Sequence, residues 1–191
     1  MLKSKYVLLL LLPLIVLQGC ATAVITGAAT GASIAHDRRT TGSVIDDQGI
    51  EFKAVSAIYR NKAIYDQSHV NVTSYNGTVL ITGESLTEQL KQQIHDLVRV
   101  IPKVMTIHNE LTIAAPSALP SRSSDAWITS KVKAKITADE NLDPFFVKVV
   151  TEHGIVYLMG IVTRTEAQRA VHIASTSAGV QRVVNIFEYA D

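Results

Sequence analysis

Residues 70–83 read Val-Asn-Val-Thr-Ser-Tyr-Asn-Gly-Thr-Val-Leu-Ile-Thr-Gly, and residues 147–160 read Val-Lys-Val-Val-Thr-Glu-His-Gly-Ile-Val-Tyr-Leu-Met-Gly. Val70, Val72, Gly77, Val79, Ile81 and Gly83 of the first stretch return 77 residues later as Val147, Val149, Gly154, Val156, Leu158 and Gly160. Further on, Val104, Ile107 and Asn109 return 76 residues later as Val180, Val183 and Asn185, one residue having been lost in between. Agreement across several elements at one period is the mark of an internal repeat. The chain reads as two copies of one small domain.

Each copy has the same order of parts. An alternating apolar strand runs into Asn76-Gly77 or His153-Gly154, and a second alternating strand follows, which is a hairpin pattern. Gly77 and Gly154 suit the positive φ of such a turn. Val79 with Ile81, and Val156 with Leu158, share a strand face that should be core. Ahead of each hairpin lies a helical stripe, Ile50, Ala54, Ala57 and Ile58 in one copy and Ile128, Val132 and Ile136 in the other. Asp125 is placed to cap the second of these helices, and Asp46-Asp47 is an acidic pair of the kind favoured at a helix start. A second helix, opening on Thr87 or Thr165, and a last strand, from Val104 or Val180, complete the unit. The expected fold is α+β: helix, strand, strand, helix, strand, with a mixed three-stranded sheet packed on two helices. A unit of about 70 residues is near the lower limit for an independent core, so packing between copies should matter.

The N-terminus has its own logic. Lys3 and Lys5 precede an apolar, uncharged run from Tyr6 to Leu17, interrupted only by Pro13, and the run ends at Leu17-Gln18-Gly19-Cys20. Such a run is too short to cross a bilayer, which takes about 20 apolar residues, and suits a cleaved signal. The ending resembles the bacterial lipoprotein signal, in which the mature chain starts at an acylated cysteine; the bland alternative is a free or buried thiol. Cys20 is the chain's one cysteine, so no intrachain disulfide is available. Lipoproteins of this type with Asp after the cysteine tend to stay at the inner membrane. Ala21 and Thr22 stand there instead, which points to the outer membrane, facing the periplasm. The stretch to Ala35 reads as a linker. Expected boundaries are residues 1–19 for the signal peptide, 20–45 for the acylated N-terminus and linker, 46–114 for the first domain, 115–123 for a second linker and 124–191 for the second domain.

The 18 basic and 17 acidic side chains are nearly balanced, which speaks against nucleic-acid binding, as such proteins usually show a basic face. The six histidines stand without metal-ligand spacing, and there is no nucleophile elbow or phosphate loop. No catalytic residue, cofactor or metal site is expected.

The Gly77, Val79, Ile81, Gly83 and Val104, Ile107, Asn109 pattern, with its second copy, resembles the BON domain, the bacterial OsmY and nodulation module. With the leader, the chain is similar to the dual-BON outer-membrane lipoproteins of Gram-negative bacteria. Ser85 departs from the usual pattern, which Val162 keeps. The resemblance implies a non-enzymatic periplasmic module that associates with phospholipid, with links to envelope integrity and cell division.

On the second copy's first helix, Trp127, Lys131 and Lys135 recur at steps of four beside the core stripe. A tryptophan with snorkelling lysines suits an anionic phospholipid membrane, and Leu142 and Phe145 add apolar bulk around Pro144. The alternative is that Trp127 caps the core or the join between copies. Gly83 and Gly160 close their strands, either for tight packing or to offer backbone N–H groups to an anion. Tyr75, just before the turn, is either an exposed contact or an ordinary strand-end aromatic. Beside the lipid reading stands another, an adaptor that docks envelope or division proteins. Replacing Cys20 with Ser should abolish metabolic labelling with palmitate and leave the precursor unprocessed; undiminished labelling would exclude acylation there.

Overall fold

The computed structural model describes residues 37–191, which include both copies. The leader, Cys20 and the linker up to residue 36 lie outside the described residues. Helix α1 (Thr41–Arg60) and the short α2 (Lys62–Tyr65) precede the hairpin β1 (Ser68–Tyr75) and β2 (Thr78–Ser85), then α3 (Glu88–Arg99), β3 (Thr106–Asn109) and β4 (Thr112–Ile113). The second copy comprises α4 (Leu119–Thr137), a 3-10 turn (Pro144–Phe146), β5 (Lys148–Glu152), β6 (Ile155–Val162), α5 (Arg164–Ser175) and β7 (Arg182–Tyr189). In each sheet the hairpin is antiparallel and the last strand lies parallel to the second. This is the mixed α+β unit the repeat implies. In the first copy the last strand is split, because Leu111 turns into the core between β3 and β4.

Each pair of long helices covers one face of its own sheet. Ile50, Ala54 and Ile58 of α1 with Leu90, Ile94 and Val98 of α3 pack on Val79 and Ile81. The same is true of Ile128, Val132 and Ile136 with Ala167, Ala170 and Ile173 on Val156 and Leu158. The other sheet faces are buried as well. Tyr75 and Leu80 of the first copy join Tyr157, Met159 and Ile186 of the second in a third apolar cluster. The layers therefore run helices, sheet, sheet, helices. The packing is close to two-fold: Asn71 donates to Glu152, while Lys148, its counterpart in the repeat, reaches Ser74 and Glu51.

Asp47 and Asp125 do not start helices. Helix α1 begins six residues before Asp47, on the Thr40 cap, and α4 begins at Leu119, inside the expected linker. Both aspartates are buried at the head of the core stripe, where each holds its hairpin turn. The Oδ1 of Asp47 accepts from Gly77 N (2.9 Å) and Ser74 Oγ (2.6 Å), and its Oδ2 accepts from Asn76 N (2.7 Å) and Arg39 (2.9 Å). Asp125 accepts from His153 N (2.9 Å) and Gly154 N (2.8 Å). These turns put Asn76 and His153 at φ 50° and the glycines at 76° and 71°, so their N–H groups point away from the ladder and need an acceptor. In the second copy, α5 opens on Thr163 rather than Thr165, with a reciprocal capping box to Glu166.

Gly83 and Gly160 lie inside β2 and β6. A side chain there would be driven into the backbone oxygen of His69 or Phe146, so close strand approach accounts for both, and the anion-binding reading falls away. Replacing Asp47 with Ala should cost about 3 kcal/mol, since it strands several buried donors, and Asp125→Ala about 2 kcal/mol. Urea unfolding measures both, with Asp47→Ala the more damaging.

Candidate membrane-facing site

Helix α4 sorts its residues by face. Asp125, Ile128, Val132 and Ile136 point inward, which leaves Trp127 63% exposed beside them. The Lys131 ammonium stands 3.4 Å from the centre of the Trp127 ring, a cation–π contact, and also donates to the carbonyl of Ala178. Lys135 donates to the Thr176 carbonyl at 3.1 Å. Both carbonyls follow the C-terminus of α5, the negative end of its dipole. The two lysines thus bridge α4 to the end of α5 while keeping their charge at the surface. Trp127 also walls a 420 Å³ cleft floored by the His153-Gly154 turn and Gly179.

The remaining expected site residues divide. Leu142 is 2% exposed and belongs to the second core, so it presents nothing to a membrane. Phe145 is 47% exposed, whereas Phe146 turns inward beneath the Arg38 guanidinium, 3.9 Å from its ring centre. Ten residues of α4, about 15 Å of helix, lie between Trp127 and the helix end at Thr137 that leads to Phe145. The structure does not draw Phe145 into the Trp127 cluster.

Tyr75 is not an exposed contact. It is buried in the cluster between the sheets, its hydroxyl 3.3 Å from Asp37 Oδ1 and the Arg39 guanidinium 3.9 Å above its ring. Burial, and then the charge of Asp37, push its pKa up to about 12. Residues 37–39 form a strap across the two copies. Arg39 pairs with Asp37 and Asp47 in the first copy. Arg38 makes a two-pronged pair with Glu166 of the second, at 2.7 and 2.8 Å, and donates to Ile161 O. Burial alone would raise the Glu166 pKa, but Arg38 and the Thr163 donors outweigh it and hold the carboxyl below its usual range.

Two further features lie outside the expected site residues. Ile45, Phe52 and Tyr59 recur at steps of seven along the exposed face of α1, Phe52 being 75% exposed, and Tyr65 of α2 stacks near Tyr59 with ring centres 4.8 Å apart. That row was legible as the complement of the α1 core stripe. The second feature was not: His69, Glu84 and Glu152, far apart in sequence, meet at the join of the sheets. The aspartate anchors did carry a signal, an Asp-x-x-Ile at the head of both stripes.

A BON domain model matches residues 46–115 and again 124–191. The chain belongs to the BON-domain family. It is 39% identical over 187 residues to the outer membrane lipoprotein DolP of Haemophilus influenzae, covering 98% of this chain and 97% of that one. The 21 kDa hemolysin of Actinobacillus pleuropneumoniae is 29% identical across 80% of this chain and 79% of its own length. The osmotically-inducible protein Y of Escherichia coli is 25% identical across 95% and 94%. The match to the Haemophilus influenzae protein along nearly its whole length puts this BON protein among the outer-membrane lipoproteins. Among the described residues no helix is long and apolar enough to cross a membrane.

A glutamate whose pKa is lowered by folding adds stability above its unfolded value, about 4.3, and loses it as pH falls through the folded value. Glu166→Gln should therefore lower the unfolding free energy measured in urea at pH 7 by about 1 kcal/mol. The gap from wild type should close as the pH drops below 4.3.

Proposed function

We propose that this protein is a lipid-anchored, non-enzymatic module that binds anionic phospholipid through its second BON domain and so supports outer-membrane integrity. Acylated Cys20 would hold the chain at the bilayer, and the Trp127 face of α4 would read the headgroups. The observation that carries the reading is the exposed Trp127 ring under the Lys131 ammonium. An indole pairs an apolar body with a polar edge, and the neighbouring cations each add about 1 kcal/mol near an anionic surface. Phe145 is left as a second, separate contact. Tethering raises the local concentration of such a weak site without any new contact.

The test uses the chain from Ala21 onward, which lacks the anchor but keeps the Asp37–Arg39 strap. It should float with phosphatidylglycerol vesicles and not with phosphatidylcholine vesicles. Trp127→Glu should weaken flotation at least tenfold, with thermal melting close to wild type because the ring is mostly exposed. Failure of the parent chain to float overturns the lipid site.

A second reading, an adaptor for envelope or division proteins, is favoured by the α1 row. Ile45, Phe52 and Tyr59 form an apolar face with no lysine or arginine within the row, unlike the Trp127 face. Under that reading Phe52→Glu abolishes crosslinks to envelope proteins in cells and leaves vesicle flotation unchanged.

A further inference from the structure

His69 and Glu84 come from the hairpin of the first copy, and Glu152 and His153 from the hairpin of the second. All four meet at one end of the seam between the sheets. One ligand atom each from His69, Glu84 and Glu152 lies within 4.8 Å of the others. The Nδ1 of His69 is 3.1 Å from one oxygen of Glu84, and His153 Nε2 contacts the other oxygen. Glu84 is 0% exposed, and Glu152 is nearly as deep.

We propose that His69, Glu84, Glu152 and His153 form a site for one divalent transition-metal ion of the zinc class, which joins the two BON domains. Zinc holds imidazole nitrogen at 2.0–2.1 Å and carboxylate oxygen at 2.0–2.2 Å, so tetrahedral ligand atoms sit about 3.4 Å apart. The His69–Glu84 pair already stands near that spacing, the His69, Glu84 and Glu152 ligand atoms need to contract by little more than an ångström, and His153 adjoins them through its contact with Glu84. Two carboxylates and two neutral imidazoles neutralise a dication. Imidazole ligands select zinc-class metals over magnesium and calcium, which take oxygen.

Supporting groups are in place. Asn71 Nδ2 donates to Glu152 Oε2 at 3.0 Å, and the Ser117 N–H and hydroxyl donate to Glu84, which orients both carboxylates. Asp125 fixes the turn that carries His153. A 340 Å³ cleft lined by His69, Arg122 and Glu152 gives a route in from solvent. Among the described residues no buried side-chain polar atom lacks a partner. The ion therefore exchanges the histidine–carboxylate hydrogen bonds for coordination bonds and sends any proton held between them to solvent.

The experiment is calorimetric titration of zinc chloride into the full chain in nonionic detergent after chelator treatment, followed by thermal melting with and without zinc. One zinc per chain should bind with micromolar or tighter affinity, raise the melting midpoint, and not be matched by magnesium. His69→Ala and Glu152→Gln should each weaken binding at least tenfold while melting in chelator stays near wild type. Should one of the two fail to fold, the other carries the test, with His153→Ala in reserve. A variant lacking His95 and His172, both outside the cluster, should bind as wild type. The proposal is overturned if no saturable zinc binding is seen, if both cluster variants bind as wild type, or if the His95 and His172 variant is the one that loses the ion.

Discussion

Two small mixed sheets, each covered by helices on one side only, leave two apolar faces that have to be removed from water. A domain of about 70 residues is near the smallest that can sustain its own core, and here each copy completes its burial against the other. Tyr75 and Leu80 meet Tyr157, Met159 and Ile186 at this seam. The apolar residues on those outward strand faces are explained by it. So is the strap: Arg38 and Arg39 span the join, paired with Glu166 on one side and Asp47 on the other.

The same seam separates what the two copies have in common from what each has made its own. Inside each copy, a buried aspartate on the first helix grips the hairpin turn, and a glycine in the second strand lets the neighbouring backbone come close. These are shared because the geometry of a tight turn and of strand contact is shared. At the seam the equivalent positions diverge. The repeat places Tyr75 against Glu152 and Ile161 against Glu84 as counterparts, so one end of the join is aromatic and apolar while the other gathers carboxylates and imidazoles. Outer surfaces diverge as well. Helix α1 carries a neutral aromatic row, and α4 carries a tryptophan beside lysines.

Much of the fold was legible because it follows from short-range pattern. Period-two strands, Gly77 and Gly154 at the turns, and the four-residue steps of Ile128, Val132 and Ile136 are local consequences of backbone geometry, and the repeat read each of them twice. Less of the candidate site was legible. Trp127, Lys131 and Lys135 could be placed on one helical face, but Leu142 could not be distinguished from a surface residue, since an apolar side chain after a helix looks the same on either side of the core boundary. Tyr75 stayed open between an exposed contact and an ordinary strand-end aromatic because strand alternation tells which residues share a face, not whether that face meets water or another sheet. Asp125 looked like a helix cap because caps and turn anchors draw on the same residue type, and only the helix start at Leu119 separates them.

By itself the sequence determined the repeat, the order of elements in each copy, the inward stripe of each copy's first helix and the family to which the chain belongs, all of which rest on contacts close along the chain or on direct comparison of one copy with the other. Only the tertiary structure decided that the sheets pack face to face, that Asp37–Arg39 bind the copies together, and that His69, Glu84, Glu152 and His153 share one place. Those outcomes depend on which surfaces gain most by leaving water together, and residues brought together in that way carry no fixed spacing in the chain.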